Sequence, residues 1–182
     1  MRKVGLLIFS FLIFLLSFSF FSSKTFAAME NLSASSSSSP EINYELPYPG
    51  LLPDSPLYIF RVIRDRVVGF LISDPLKKAE FDLLQADKRL NAGIYLFNQG
   101  KTALSFSTVS KAENYFEEAL GQVGQAKKQG KDIKDIEGRL RNALNKHEQE
   151  LGILTAKARG NLKVSFQNEL EKVTNFAERL SQ

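Results

Sequence analysis

The chain has no cysteine, no tryptophan, a single histidine, two methionines and six prolines among its 182 residues. Without cysteine there is neither a disulfide framework nor a thiolate metal site. The lone histidine, His147, cannot supply both halves of the paired Glu-x-x-His set that di-iron bundles use. The only sulfur ligands are Met1 and Met29, so zinc and copper chemistry is set aside and no metal or other cofactor is expected. His147 falls on an apolar row and reads as an edge-of-core residue with one hydrogen bond. A glycine-rich phosphate loop is also missing. Gly121, Gly124, Gly138 and Gly152 lie inside helical patterns, where each costs about 1 kcal/mol against alanine and would serve close helix approach.

Charge is nearly balanced once the start of the chain is set apart. The formal +4 falls to +1 when Arg2, Lys3 and Lys24 are excluded. No basic excess calls for a nucleic acid partner, and a mixed-sign helical surface accounts for the rest. Residues 1–27 read as a signal peptide or a retained N-terminal anchor. Met1, Arg2 and Lys3 precede the uncharged run from Val4 to Phe21, and Thr25 and Ala27 offer small residues ahead of a cut. In either case the chain from Ala28 onward is expected outside the cytoplasm, as a secreted, periplasmic or cell-surface domain. Membrane association is expected only through residues 4–21, if they are retained. Residues 28–45, with "NLSASSSSSP", are too polar to offset their ordering entropy and read as a flexible linker.

Residues 46–182 carry the folded domain. Four prolines, Pro47, Pro49, Pro53 and Pro56, crowd its entrance, and none comes after Pro75. From there the apolar residues recur in steps of three and four, as in Leu76, Leu83, Leu90 and Phe97, or Val109, Phe116 and Val123. This predicts an all-α fold of about five helices in an antiparallel bundle or hairpin array, with an extended proline-rich lead-in. The helices are expected over 56–72, from 75 to a stop at Gly100, and over 102–129, 132–158 and 161–180. Ser55 before Pro56 and Asp74 before Pro75 are read as N-caps ahead of a proline at the first helical position. The first helix is apolar nearly all round, and the lead-in is expected to lie along its uncovered flank as a lid.

Carboxylate pairs occur at Glu113 with Glu117 and at Glu148 with Glu150. Glu113, Glu117 and Glu118 read as the solvated face of a helix, and a two-carboxylate hydrolase remains a remote alternative. "KAENYFEEAL" has the spacing of half a tetratricopeptide unit, but no second copy stands at that family's period. Arg61, Arg64 and Arg66 are a candidate interaction surface, weighed against ion pairing or simple solvation.

Three stretches together, "LPYPGLLPDSPLYIFRVIRDRV", "SDPLKKAEFDLLQADKRL" and "NKHEQELGIL", resemble the bacterial domain-of-unknown-function family numbered 5667. Its box falls on Leu52, Pro53, Asp54, Ser55, Pro56 and Tyr58. A second signature covers Asp74, Pro75, Lys77, Lys78, Ala79 and Glu80, continuing to Arg89 and Leu90. The resemblance implies an exported helical domain, with Pro53, Asp54, Ser55, Pro56, Tyr58, Asp74 and Pro75 as a structural box. Some members carry the domain outside a membrane span whose other side resembles an anti-sigma regulator, a half with no counterpart here. "KARGN" departs from the proline-containing turn that the family pattern leads one to expect. The expected function is a non-enzymatic structural or interaction domain of the cell envelope that engages another envelope protein or itself. An extracytoplasmic sensor or regulatory domain working with a membrane partner is the alternative.

Overall fold

The computed structural model describes residues 44–181, and the expected leader and all but the end of the linker lie outside the described residues. Five helices succeed one another: α1 (Tyr58–Leu71), α2 (Pro75–Asn98), α3 (Thr102–Lys128), α4 (Lys134–Lys157) and α5 (Asn161–Ser181).

Local chemistry sets the boundaries. Asp74 Oδ1 accepts the Leu76 and Lys77 N–H groups at 2.9 and 3.1 Å, and Pro75 occupies the first helical position of α2. At the other end Gly100, with φ of 76°, turns the chain out of the helix. Its N–H reaches Phe97 O at 2.9 Å while the Lys101 N–H reaches Leu96 O at 2.9 Å, the double bond of a Schellman cap. Gly130 (φ 72°) repeats the arrangement on α3, with Lys131 N–H on Ala126 O at 3.1 Å. The break between α4 and α5 falls at Ala158 to Gly160, where Gly160 has φ of 57°. The start of α1 differs from expectation. Ser55 Oγ meets the Leu57 N–H only at 3.4 Å, and turns bonded through Leu52 O and Ser55 O occupy the stretch before Tyr58. The helix therefore starts two residues later than the Ser55–Pro56 signal implies.

The helices pair into two hairpins. Within the first, Ser105 Oγ on α3 donates to Gly93 O on α2 at 2.7 Å, and Arg89 lies 4.1 Å over the Tyr115 ring, so the helices run antiparallel. Within the second, Arg141 near the start of α4 donates to Leu180 O near the end of α5. Between hairpins the sense is different. Asp74, Glu80 and Asp87 meet Lys131, Arg139 and His147 in the same order, so α4 runs parallel to α2. Likewise α5 runs parallel to α3: Phe106 meets Phe166 edge-on at 5.5 Å, and Phe116 stacks on Phe176 at 5.7 Å.

Phe106 and Phe166, Phe116 and Phe176, and Asp87 and His147 are each sixty residues apart. At that same spacing Gly100 matches Gly160, Ser105 matches Ser165, Glu118 matches Glu178 and Leu120 matches Leu180. The second hairpin is thus stacked on the first in register. Paired rings of equal size pack edge-on at Phe106 and Phe166 and stacked at Phe116 and Phe176. This period is longer than the tetratricopeptide spacing, the one repeat length that the sequence pattern brought into question.

One continuous apolar core joins the hairpins, centred on the fully buried Phe116, Phe166, Leu83, Leu90, Leu140 and Leu151. The closest helix approach is at Gly93, where an added Cβ would stand 2.4 Å from Val109 Cγ2. The four helical glycines expected to serve this purpose do not: Gly121, Gly124, Gly138 and Gly152 all face open space.

The lead-in crosses α2 more than α1. Tyr44 and Leu46 pack against the core, Pro49 is buried, and Asn91 Nδ2 donates to Pro47 O at 2.9 Å. Arg61 reaches back from α1 to Pro49 O and, at 2.7 Å, to Leu51 O. These side chains bond carbonyls that a proline-rich strand cannot pair within itself. The expected lid is therefore a clamp over α2, and the outer flank of α1 stays uncovered.

Candidate functional site

The most concentrated chemistry in the described residues is a sealed polar cluster where α2, α3 and α4 meet. His147 on α4 is 0% exposed. Its Nδ1 lies 3.0 and 3.1 Å from the two carboxylate oxygens of Glu113 on α3, and its Nε2 lies 3.1 Å from Asp87 Oδ1 on α2. The Tyr44 hydroxyl donates to Asp87 Oδ2 at 2.6 Å, which ties the lead-in to the same cluster. The Phe116 ring closes one side, its centroid 5.0 Å from that of the imidazole.

Burial alone would push the imidazolium toward its neutral form. The two carboxylates outweigh it, through the charge of Glu113 and the hydrogen bonds to both acids, and the net effect raises His147 to about 9. Near neutrality the ring is therefore an imidazolium donating from both nitrogens, with no lone pair for a substrate proton or a metal ion. Burial first, and then the neighbouring Asp87 charge and hydrogen bond, hold the Tyr44 phenol well above its ordinary range. Every polar group of the cluster has a partner. It behaves as a strut joining both hairpins and the lead-in.

Glu113 overturns an expectation: it is fully buried, whereas its spacing to Glu117 and Glu118 pointed to the solvated face of the helix. Glu117 and Glu118 are exposed, and Glu117 pairs with Lys172 at 3.1 Å and Arg179 at 3.2 Å. Burial raises the Glu118 and Glu148 carboxyls, and the charge of Asp82 adds to the rise at Glu118. Glu150 pairs with Lys146 at 2.8 Å. His147 sits in the centre of the core and not at its edge, with two acid partners in place of one hydrogen bond. A signal was present in the sequence. Asp87 interrupts the row of Leu83 and Leu90, and Glu113 that of Val109 and Phe116, each at a core-facing step of three or four residues.

The box residues are spread along the entrance and the α1–α2 corner. Asp54 pairs with Lys101 and Asp74 with Lys131, which pins the start of α1 and of α2 to the two interhelix loops. Pro75 is buried, Pro53 is partly covered and Pro56 is exposed. Tyr58 lies under the Arg61 guanidinium at 6.0 Å. The three arginines divide. Arg61 points inward to the lead-in carbonyls and to Asp65 at 3.6 Å, Arg64 bonds Asp65 at 2.7 Å from a largely exposed position, and Arg66 is exposed.

The second candidate feature is the outer side of α1. Asp65 faces the domain, and a Cβ on Gly69 would meet the Phe81 ring on α2 at 3.1 Å. The opposite side presents Ile59, Phe60, Ile63, Val67, Phe70 and Leu71, with Phe60 67% and Phe70 87% exposed. This helix carries its apolar side outward, the reverse of an ordinary surface helix. Among the described residues no helix is long and apolar enough to cross a membrane.

The family model described as "Domain of unknown function (DUF5667)" matches residues 50–161. The chain belongs to that family. The DUF5667 match runs from the end of the lead-in to Asn161, the first residue of α5, so it takes in Asp87, Glu113 and His147 but neither Tyr44 nor the rest of α5. It is shorter than the folded domain expected over residues 46–182. No curated protein and no solved structure matches the chain.

Proposed function

We propose that this DUF5667 protein is a non-enzymatic interaction domain of the cell envelope, exported by its N-terminal segment, whose working surface is the outer side of α1. The observation that carries the reading is a division of labour. Among the described residues, the cluster that gathers the histidine with two acids is sealed and internally satisfied, with His147 and Glu113 at 0% exposure. By contrast, the largest exposed apolar side chains concentrate on a single helix whose polar side is already used against its own domain. Enzymes place perturbed acids and bases in clefts that substrate can reach, whereas binding surfaces expose aromatic and aliphatic anchors.

The test places a photoreactive residue at Phe70 and, separately, at Val164 on α5, which is similarly open at 62% exposure. Adducts in the producing cell are expected from position 70 and not from position 164. Turnover of an envelope glycan or peptide by the purified domain, lost with a single carboxylate substitution that spares the fold, would replace this reading with a hydrolase.

A further inference from the structure

We infer that the outer side of α1 docks on an anionic lipid surface, lying in its plane; the inference rests on the binding role proposed above and names the partner.

Helix geometry carries the first part. At about 100° per residue, Ile59, Phe60, Ile63, Val67, Phe70 and Leu71 fill one continuous outward arc. Arg66 stands at one border of that arc and Arg64 at the other, and both are exposed. Cations flanking an apolar face suit a helix lying at a bilayer surface: the apolar side chains enter the acyl boundary while the guanidinium groups stay at headgroup level. The domain takes up the opposite side of the helix through Arg61, Asp65 and Gly69, so α1 need not turn over to present this face.

Charge decides between occupants. Between Leu57 and Leu71 the only acid is Asp65, which is buried against the domain and engaged by Arg61 and Arg64. With three arginines to one acid on α1, a second copy pairing through the same face would set the uncompensated Arg66 of each copy, beside Arg64 already held by Asp65, around one apolar seam with no free carboxylate to answer it. Lipid phosphates and carboxylates answer it directly. Lys88, in the groove beside Arg61 and Arg64, extends the positive border, and the exposed Tyr48 and Leu51 of the clamped lead-in extend the apolar one.

Residues 40–182 form one compact unit with its own core, so that fragment can be tested without the apolar leader. A chain free of cysteine allows a single polarity-sensitive dye to be placed by Phe70→Cys, with Val164→Cys as the control. Titration with phosphatidylcholine vesicles containing phosphatidylglycerol is expected to blue-shift the dye at 70 and not at 164. Added salt should weaken the binding, and pure phosphatidylcholine should bind less. In the unlabelled fragment, Phe60→Ser with Phe70→Ser should lower vesicle partitioning about tenfold or more while leaving the thermal melt unchanged, because both rings are exposed. No vesicle binding by the folded fragment, or equal binding by the double variant, would overturn the inference. A lipid-free dimer that the double variant dissociates would also overturn it, assigning the face to a second copy while leaving the binding role standing. Absent vesicle binding together with catalytic turnover by the same fragment would remove both.

Discussion

His147 Nε2 and Asp87 Oδ1 are 3.1 Å apart although sixty residues of chain separate them, and they join the two stacked hairpins. Where Phe106 meets Phe166 and Phe116 meets Phe176 ring to ring, this position matches acid to base. The pair, with Glu113 and Tyr44, fixes how far one hairpin can slide along the other, because a shift of one turn would leave two buried carboxylates unpaired.

Removing the cation should therefore cost more than removing an ordinary core residue. His147→Ala leaves Glu113 and Asp87 facing each other without their shared donor, and a loss of about 3–5 kcal/mol is expected. Chemical denaturation of the purified domain checks this. His147→Ala combined with Glu113→Leu and Asp87→Leu should recover much of the loss, since an apolar cluster of similar volume carries no desolvation penalty.

The same cluster makes stability depend on pH with a defined sign. His147 is raised from an ordinary 6.5 to about 9 in the folded state. Its contribution is complete below about pH 6.5 and is lost as pH rises through about 9. The melting temperature should fall across that window in the native protein and stay flatter in the triple apolar variant.

Tyr44 connects the lead-in to the strut, and Asn91 and Arg61 hold the rest of it. Tyr44→Phe removes only the bond to Asp87 and should cost about 1 kcal/mol. A chain starting at Asp54 loses Tyr44, Leu46 and Pro49 together and should melt well below the full domain. Equal melting of the two would mean that the clamp contributes nothing to the core.

Gly93 and Gly121 give opposite outcomes for the same substitution. Gly93→Ala forces a Cβ toward Val109 Cγ2 and should destabilise by about 1–3 kcal/mol. Gly121→Ala enters open space in the middle of a helix and should stabilise by up to about 1 kcal/mol.

The helices were legible because their boundaries rest on local chemistry: Asp74 before Pro75, and Gly100 and Gly130 after the last apolar step. Features that depend on pairing were less legible. Glu113 looked solvated because it stands near Glu117 and Glu118, and only the arrival of His147 from α4 makes its burial tolerable. The stacking of the hairpins was hidden because residues sixty apart are identical at only a few positions, such as Gly100, Ser105, Phe106 and Phe116 with their counterparts. The exposure of α1 follows from Arg61 and Asp65. These two charged residues face inward, the reverse of what their residue types suggest, and thereby turn the apolar side out.

Under the proposed function the His147 cluster is a sealed strut and the outer side of α1 is the working face, and the state of His147 tests this most directly. The chain has a single histidine, so nitrogen-15 NMR of the imidazole reports on it without assignment. A sealed strut predicts a ring protonated on both nitrogens through neutral pH, titrating near about 9, with both N–H protons protected from exchange with water. An imidazole that titrates near its ordinary 6.5 and exchanges freely would contradict this and return His147 to the candidate catalytic groups.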